Sequence, residues 1–486
     1  MSAEYEAVIG IECHVELKTE TKMFCGCRNE FGGEPNTKIC PVCLGMPGAL
    51  PVPNARAIEL ILKTGVAFGA EIPAFSKFDR KNYFYPDMPK DYQISQYDMP
   101  LTVGGSVKYW MEDGTLRECS LTRIHLEEDT GKSTHAGSGD GRIAGSAYSL
   151  VDFNRAGVPL MECVSEPELH SAAEAIAYLE ALRRTLLALG VSDVKMEEGS
   201  LRCDANVSVR PAGSTALGTK TEIKNMNSFR SVERAIASEI DRQVALLRAG
   251  ERVVQETRGW DEINGVTHSM RSKEEAHDYR YFPDPDLVPL EIARGDVERI
   301  AGSLPALPWQ RFERYTKSYG MGAKPANQLI DNLALADYFD RVVERSLNAH
   351  QTSNFVLGDL SRLANETGVG VAESKVAPEH LAELIELVES KRINSKIAKE
   401  LVARMWSGAG SPAEIVEREG LAQTTDRAAI ERFVNEVLAA NPSVVADYRA
   451  GKTGVAGFLV GQVMKASRGK ADPALVNELV SAKLRS

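Results

Sequence analysis

The sequence lacks any apolar run of about 18 residues, the length that a helix needs to cross a bilayer. Its first segment, Met1 to Lys18, carries four glutamates and lacks a basic start followed by an apolar run, so we expect no secretory signal. We therefore expect a cytoplasmic protein with no membrane partner.

The chain also lacks a net positive charge. Its net charge of −11 argues against a strongly basic surface that coats nucleic acid. The C-terminal part still has a local basic bias, formed by Lys452, Lys465, Arg468, Lys470, Lys483 and Arg485. Such a cluster favours salt-sensitive contact with an RNA backbone, and an ordinary charged helix surface is the alternative.

Two motifs of nucleotide and acyl chemistry are missing. Residues 131–133 (Gly-Lys-Ser) and 451–453 (Gly-Lys-Thr) resemble the end of a P-loop, but Leu126 and Ala446 stand where an earlier glycine is required. Gly-x-Ser-x-Gly is absent, and no cysteine has neighbours that predict an activated thiolate. ATP, if it is used, needs a different phosphate cradle, and a covalent acyl-enzyme is disfavoured.

The eight cysteines need an explanation other than disulfides, because the cytoplasm keeps thiols reduced. Cys25-Gly-Cys27 and Cys40-Pro-Val-Cys43 are two close pairs that can converge tetrahedrally on zinc and leave no position open for water. This spacing predicts a structural zinc site, and four unrelated buried thiols are the alternative. The unpaired cysteines are predicted to be small buried hydrophobes: Cys13, Cys119, Cys163 and Cys203.

Periodicity predicts an α+β first portion built on a mostly antiparallel sheet. From Tyr5 to Leu17 polar and apolar residues alternate, which places Glu12 and His14 on one face of a strand. Helices are predicted at 55–69 and 171–189, with Ser171 as N-cap and Glu174 at the capping-box position. Further strands are predicted at 116–126, 200–210 and 219–224.

The length of 486 residues exceeds what one core usually supports, so two or three domains are expected. Prolines near 283–285 interrupt regular structure, and helical periodicity dominates afterwards. A second break at 407–412 is rich in small residues and precedes short helical patterns. We predict an N-terminal domain at 1–295 with a zinc-binding insertion near 25–43, a helical domain at 296–410 and a small helical tail domain at 411–486.

A set of acidic residues and one imidazole could hold magnesium together with nucleotide phosphates. Hard oxygen ligands with one imidazole suit that ion. The set lies on several predicted strands: Glu12, His14, the segment 125–129, Glu162, Asp204 and Asn206. Each member could instead be a solvated surface charge, unless its strands are neighbours in one sheet.

Donors for phosphate are available in the same portion. They lie in the segments 77–83 and 132–134 and at Arg155. Arg can hold a phosphate or carboxylate by two parallel hydrogen bonds, and Lys acts as a point charge. A solvated charged loop is the alternative.

Taken together, these residues resemble the B subunit of the GatCAB amidotransferases. Long words that span nearly the whole chain carry the resemblance, at 8–18, 77–87, 125–133, 193–206, 278–283 and 457–465. The resemblance implies a cradle-shaped N-terminal domain, a helical domain and a YqeY-like tail that binds tRNA. It also implies that ATP phosphorylates the side-chain carboxyl of Glu or Asp mischarged on tRNA-Gln or tRNA-Asn, and that ammonia then displaces the phosphate.

The family resemblance also implies partners: an A subunit that releases ammonia from glutamine, and a C subunit that wraps the pair. Two rival interpretations remain. One is a non-catalytic, zinc-stabilised protein for tRNA binding or assembly, and the other is a self-contained amidase or synthetase, which the missing nucleophile disfavours.

The resemblance assigns site residues as well. Glu12, His14, Glu127 and Glu162 are the implied catalytic magnesium ligands, with Asp204 as a neighbour. The positions near the phosphates or the ammonia channel are Lys81, Tyr83 and Arg155. The cofactors implied are ATP, Mg²⁺ and Zn²⁺. The zinc is expected to be structural rather than catalytic, because its four cysteines occur in only some family members: Cys25, Cys27, Cys40 and Cys43.

Overall fold

The computed structural model describes residues 4–137, 146–272, 279–422, 426–467 and 469–485. The chain forms two compact units, Met1–Arg311 and Phe312–Ser486. Within the described ranges, no helix combines the length and the apolar character that a membrane span requires.

The strands of the first unit follow the chain from its start. They are β1 Tyr5–Glu16, β2 Phe75–Ser76, β3 Asp79–Asn82, β4 Tyr92–Ser95, β5 Thr102–Val103, β6 Ser106–Trp110, β7 Leu116–Glu128, β8 Lys132–Ala136, β9 Tyr148–Asp152, β10 Pro159–Ser165, β11 Leu201–Pro211, β12 Thr221–Met226, β13 Glu256–Asp261, β14 Val266–Ser272, β15 Phe282–Pro283 and β16 Leu290–Glu291.

Among the described residues, the largest sheet has nine strands in the order β14-β13-β12-β11-β1-β10-β7-β5, with β6 also paired to β7. Its neighbours run antiparallel except β12 and β13, which are parallel. Smaller ladders join β15-β3-β4, β16-β2 and β8-β9. The predicted α+β class with a mostly antiparallel sheet is confirmed.

Strand β1 shows why the sheet has one apolar and one polar face. Ile9, Ile11 and Val15 are fully buried in the core, whereas Glu12 and His14 alternate with them and point away from it. Burying one such aliphatic side chain contributes about 2 kcal/mol, so a one-residue slip of register would be strongly disfavoured. The polar face is therefore fixed by the packing of the other face.

Helices α1 Ala55–Ala67, α2 Ala172–Leu189 and α3 Phe229–Arg248 add side chains to that core, and α4 Arg294–Gly302 and α5 Pro308–Glu313 follow. The predicted N-cap of α2 is confirmed, because Ser171 Oγ accepts from the Glu174 N–H at 3.1 Å. A cap of this kind stabilises a helix by about 1 kcal/mol. The Glu174 carboxylate accepts from the His170 N–H at 2.8 Å rather than from Ser171.

The second unit is helical throughout the residues described. Its α-helices are α6 Ala323–Ile330, α7 Leu333–Ser346, α8 Ala349–Asn354, α9 Ser361–Thr367, α10 Pro378–Glu389, α11 Ser395–Ser407, α12 Pro412–Glu419, α13 Arg427–Ala440, α14 Pro442–Arg449, α15 Ala456–Ala466 and α16 Pro473–Arg485. Two π-helical turns, Arg314–Ser318 and Phe355–Leu360, and two 3₁₀ turns, Val371–Glu373 and Thr453–Val455, complete it. Helices α13, α15 and α16 form a hydrophobic cluster of their own.

Candidate active site on the polar face of the sheet

Three neighbouring strands bring an acidic cluster together. In the antiparallel register of β1 and β10, His14 lies opposite Glu162. Glu162 in turn lies opposite His125 of β7, and Glu127 follows two residues later on the same face. Side chains that oppose each other in this way lie about 5 Å apart at Cβ, so the strand pairing alone concentrates these groups.

The predicted ligands His14, Glu127 and Glu162 meet closely enough to hold one metal ion. One ligand atom from each lies within 4.8 Å of the others. His14 Nε2 is 3.9 Å from Glu127 Oε1 and 3.6 Å from Glu162 Oε2. Two carboxylates and an imidazole are a donor set that divalent cations accept, so these residues fit the predicted ion.

His125 completes the cluster, although it was predicted only as part of the segment 125–129 and not as a ligand. Its side chain is buried, and Nε2 lies 3.3 Å from Glu162 Oε2 and 3.8 Å from Glu127 Oε2. The opposite ring nitrogen, Nδ1, is buried and has no hydrogen-bond partner among the residues that the structure describes. The available signal was parity, because residues 125 and 127 point to one face of a strand.

The electrostatics of the cluster are strongly negative. Burial acts to lower the pKa of His14, but the hydrogen bond and charge of Glu162, with the charges of Glu127 and Asp204, raise that pKa to about 9. Burial acts to raise the pKa of Glu162, but His125 and His14 hold it well below its usual range. A pocket that favours positive charge this strongly is the setting a divalent cation requires.

The predicted residues Glu12 and Asp204 lie beside the cluster on the same face. They oppose each other in the register of β1 and β11. Glu12 Oε1 accepts from Asn206 Nδ2 at 2.7 Å, and Asp204 Oδ2 accepts from Lys224 Nζ at 2.5 Å. Neither belongs to the close group of ligand atoms found among the described residues.

A pocket of about 410 Å³ opens over this face. It brings the predicted Lys81 and Tyr83 next to His14 and Glu127. Its lining is mostly polar and comes from segments that are far apart in the sequence: His14, Lys81, Tyr83, Gln93, Glu127, Thr130, Leu160, Arg202, Cys203, Asp204, Lys224, Asn225, Met226 and Tyr279. Arg202 and Lys224 were not predicted, although both lie on predicted strands.

Arg155 donates hydrogen bonds to the loop that follows β7. Its Nε and Nη2 donate to the carbonyl oxygens of Thr130 at 3.0 Å and Gly131 at 2.9 Å, and Nε lies 3.5 Å from Asp129 Oδ2. The same carboxylate accepts from Arg202 Nη2 at 2.7 Å. Arg155 therefore orders the end of the strand that carries Glu127.

The four clustered cysteines converge on one point. Sulfur atoms of Cys25, Cys27, Cys40 and Cys43 lie within 4.8 Å of one another. Cys43 Sγ accepts from the Cys40 N–H at 3.0 Å, and the hydrogen bond from Cys25 holds the pKa of Cys43 below its usual range. Four thiol ligands of this kind fit zinc in a closed structural site.

The remaining cysteines are free and lie in the hydrophobic core, as predicted: Cys13, Cys119, Cys163 and Cys203.

The basic residues predicted near the C-terminus have mixed settings. Lys452 pairs with Asp447 at 3.0 Å, and Lys483 pairs with Glu431 at 2.7 Å. Lys465 and Lys470 line a second pocket of about 770 Å³ within the second unit. Arg468 lies outside the described residues.

Comparison with known proteins finds two family models along the chain. The first, described as the GatB/GatE catalytic domain, matches residues 7–298, and the second, described as the GatB domain, matches residues 337–484.

Curated relatives match over all or nearly all of their length. A Moorella thermoacetica protein is 56% identical over 481 residues, covering 99% of this chain and 100% of the relative. A Carboxydothermus hydrogenoformans protein is 50% identical with 99% of each covered, and a Thermosynechococcus vestitus protein is 50% identical with 99% and 97% covered. Each is named as the B subunit of an aspartyl/glutamyl-tRNA(Asn/Gln) amidotransferase.

Proposed function

This chain belongs to the GatB family of aspartyl/glutamyl-tRNA(Asn/Gln) amidotransferases, and from that membership we propose that it carries the ATP-dependent step of tRNA-linked amidation. Its substrate is Glu or Asp mischarged on tRNA-Gln or tRNA-Asn. The product is the corresponding Gln-tRNA or Asn-tRNA. The observation that carries the proposal is the meeting of His14, Glu127 and Glu162 beside a pocket that is also lined by cationic side chains.

The chemistry explains why ATP is needed. A carboxylate is a poor electrophile, because attack by ammonia would have to expel oxide. In the proposed reaction a carboxylate oxygen attacks the γ-phosphorus of ATP, the bond to ADP breaks, and an acyl phosphate forms. Ammonia then attacks the acyl carbon, and inorganic phosphate leaves with the electron pair.

Glu127, Glu162 and His14 would hold a magnesium ion at this pocket, with His125 against both carboxylates and Glu12 and Asp204 as neighbours. When bound, the ion offsets the negative charge that builds up between ATP and the substrate carboxylate. The pocket bottom is the sheet itself, which shields the acyl phosphate from water on that side.

Cationic side chains of the pocket supply the remaining charge balance. Lys81 Nζ lies 4.8 Å from the ring centroid of Tyr279, and Lys224 pairs with Asp204 in the same pocket. We assign phosphate or carboxylate binding to Lys81 and Arg202. Tyr83 lines the same space, and Arg155 orders its rim through the carbonyl groups of Thr130 and Gly131.

The ammonia would come from a separate A subunit that hydrolyses glutamine, with a C subunit completing a heterotrimer. The relatives' names support a multi-subunit enzyme that acts on tRNA. Within this chain, the tail at 411–486 is proposed to bind the tRNA backbone, with Lys465 and Lys470 of the second pocket among its cations. A reducing cytoplasm suits eight free cysteines.

The substitution Glu127→Gln tests the proposal in a reconstituted trimer. It preserves shape but removes one charged cation ligand, so we expect ATP-dependent amidation to fall roughly a hundredfold while tRNA affinity stays unchanged. Product aminoacyl-tRNA and filter-binding affinity are the two measurements. Undiminished amidation would support the non-catalytic assembly role instead.

A chain that ends at Ser411 provides the matched control. Because helices α13, α15 and α16 form their own hydrophobic cluster, their removal leaves the first unit's core intact. This variant should lose the tRNA affinity that Glu127→Gln keeps, and it should still bind ATP. Unchanged tRNA affinity would show that the tail does not bind tRNA.

A further inference from the structure

The loop that carries the four cysteines, residues 24–46, packs against Lys90, which lies outside the loop. Gly45 has φ +63°, and a Cβ added there would lie 2.3 Å from Lys90 Cγ. Phe24 contacts the same lysine from another direction, with 5.9 Å between its ring centroid and Lys90 Nζ. The side chain of Lys90 is therefore confined by both ends of the four-cysteine loop.

Lys90 forms a buried ion pair with Glu128. Their side chains are only 8% and 3% exposed. The same Glu128 oxygen accepts from the Ile94 N–H at 2.9 Å, and the Glu128 carbonyl accepts from Gln93 Nε2 at 2.7 Å. A buried carboxylate that loses its cation is costly, so Glu128 depends on Lys90 for its place.

Glu128 adjoins the cation ligand Glu127, and the same short segment holds both. Ser95 Oγ donates to Glu127 Oε2 at 3.2 Å. Residues 90–95 thus fix Glu128 by its side chain and carbonyl, and Glu127 by its carboxylate. A displacement of Lys90 would move the end of β7 and with it one ligand of the cation site.

Backbone hydrogen bonds also connect the start of the four-cysteine loop to the end of β7 through Gly157. The Met23 N–H donates to Gly157 O at 2.7 Å, and the Gly157 N–H donates to Asp129 O at 2.9 Å. A Cβ added at Gly157 would lie 3.5 Å from Cys43 Cβ and 3.8 Å from Glu128 Oε2. The four-cysteine loop and the end of β7 are packed as one body.

We infer that Lys90 is a positioning residue through which the four-cysteine loop holds Glu127 in cation-binding geometry. The inference rests on the proposed function, since it presumes that His14, Glu127 and Glu162 bind a divalent cation. It couples two sites: order in the four-cysteine loop sets the affinity of the catalytic cluster for its ion. Partners that orient metal ligands typically have effects of this kind.

The test is a Mn²⁺ titration of the zinc-loaded, full-length chain, followed by electron paramagnetic resonance. Lys90→Met keeps the aliphatic stem and removes the charge, and Gly45→Ala displaces Lys90 without replacing it. Both should lower Mn²⁺ affinity by about tenfold and leave the zinc content unchanged. In the trimer, both should raise the Mg²⁺ concentration that amidation requires.

Arg242→Met is the matched control, because Arg242 pairs with buried Glu239 at 2.6 Å, away from both metal clusters. It should lower the unfolding temperature and leave Mn²⁺ affinity intact. If Lys90→Met and Gly45→Ala behave like Arg242→Met, the lysine is merely structural and the inference is wrong. His14→Ala separates the two proposals: if it does not weaken Mn²⁺ binding, the proposed site itself has failed.

Discussion

His14 shows how single residues set the character of the site. Its imidazole lies between two carboxylates, and their negative charge holds its pKa near 9 against the opposite effect of burial. A side chain in that position binds positive charge, either as a proton or as a metal ion. Substitutions of single residues can therefore show which carboxylates contact the ion.

Glu162→Gln and Glu12→Gln compare a carboxylate within the cluster with one that lies beside it. Glu162 lies 3.6 Å from His14 Nε2, whereas Glu12 is hydrogen-bonded to Asn206. We expect Glu162→Gln to weaken Mn²⁺ binding roughly thirtyfold and Glu12→Gln less than about threefold. Titration of each variant measures this. Equal losses would return Glu12 to the set of direct ligands.

Parity along strands predicted part of the cluster. It placed Glu12 and His14 on one face, and the structure has them there. It could not show that Asn206 would engage Glu12, or that His125 would lie against Glu162, because those contacts depend on which strands are neighbours. Neighbouring strands are set by long-range packing, on which a local pattern is silent.

The positions of helices and strands were predicted more fully than the contacts between them. The short helical patterns predicted after residue 412 begin with α12, Pro412–Glu419, and the predicted strand 116–126 lies within β7. Helix α14, Pro442–Arg449, was not predicted, since none of its residues is buried and its apolar pattern is weak. A helix that buries one full face has a clear apolar periodicity in its sequence, whereas an exposed helix does not.

The four-cysteine loop has little regular structure of its own, and we propose that zinc stabilises it. Between Met23 and Ala55 the chain has only an isolated bridge, Thr21 with Arg28, at its base, and turns elsewhere. Cys40→Ser should therefore release zinc and lower the unfolding temperature by about 5 °C or more. Zinc analysis and calorimetry measure both.

Cys119→Ala is the control for that prediction, because Cys119 is buried outside the cluster. It should keep the full zinc content. If Cys40→Ser abolished amidation while zinc and stability were unchanged, the cysteines would have a role beyond structure.

At the scale of the whole molecule, packing and periodicity place the division of the chain differently. The predicted boundary at 295 and 296 follows the change from strands to helices, whereas the compact units divide between Arg311 and Phe312. Ile300 and Leu307 belong to the first unit's core, and Arg299 lies 3.6 Å from Glu59 of α1. Periodicity identifies a helix but not the core that it joins. The three-domain division, with a separate tail at 411–486, stays a prediction.

The acidic balance of the whole chain fits a protein whose first unit binds a cation rather than one that coats RNA. With a net charge of −11, contact with tRNA must be confined to local cationic surfaces. The first unit, in contrast, brings the carboxylates of Glu127 and Glu162 together beside His14 on one face of its sheet. The proposed magnesium site rests on that one cluster.

Anomalous diffraction from crystals of the full chain soaked in Mn²⁺ tests the cluster directly. One peak should lie within about 2.5 Å of His14 Nε2 and of a carboxylate oxygen from Glu127 and from Glu162. A Glu127→Gln crystal should show that peak much reduced. A strong peak elsewhere, with none between these three side chains, would contradict the proposed site and the ATP chemistry built on it.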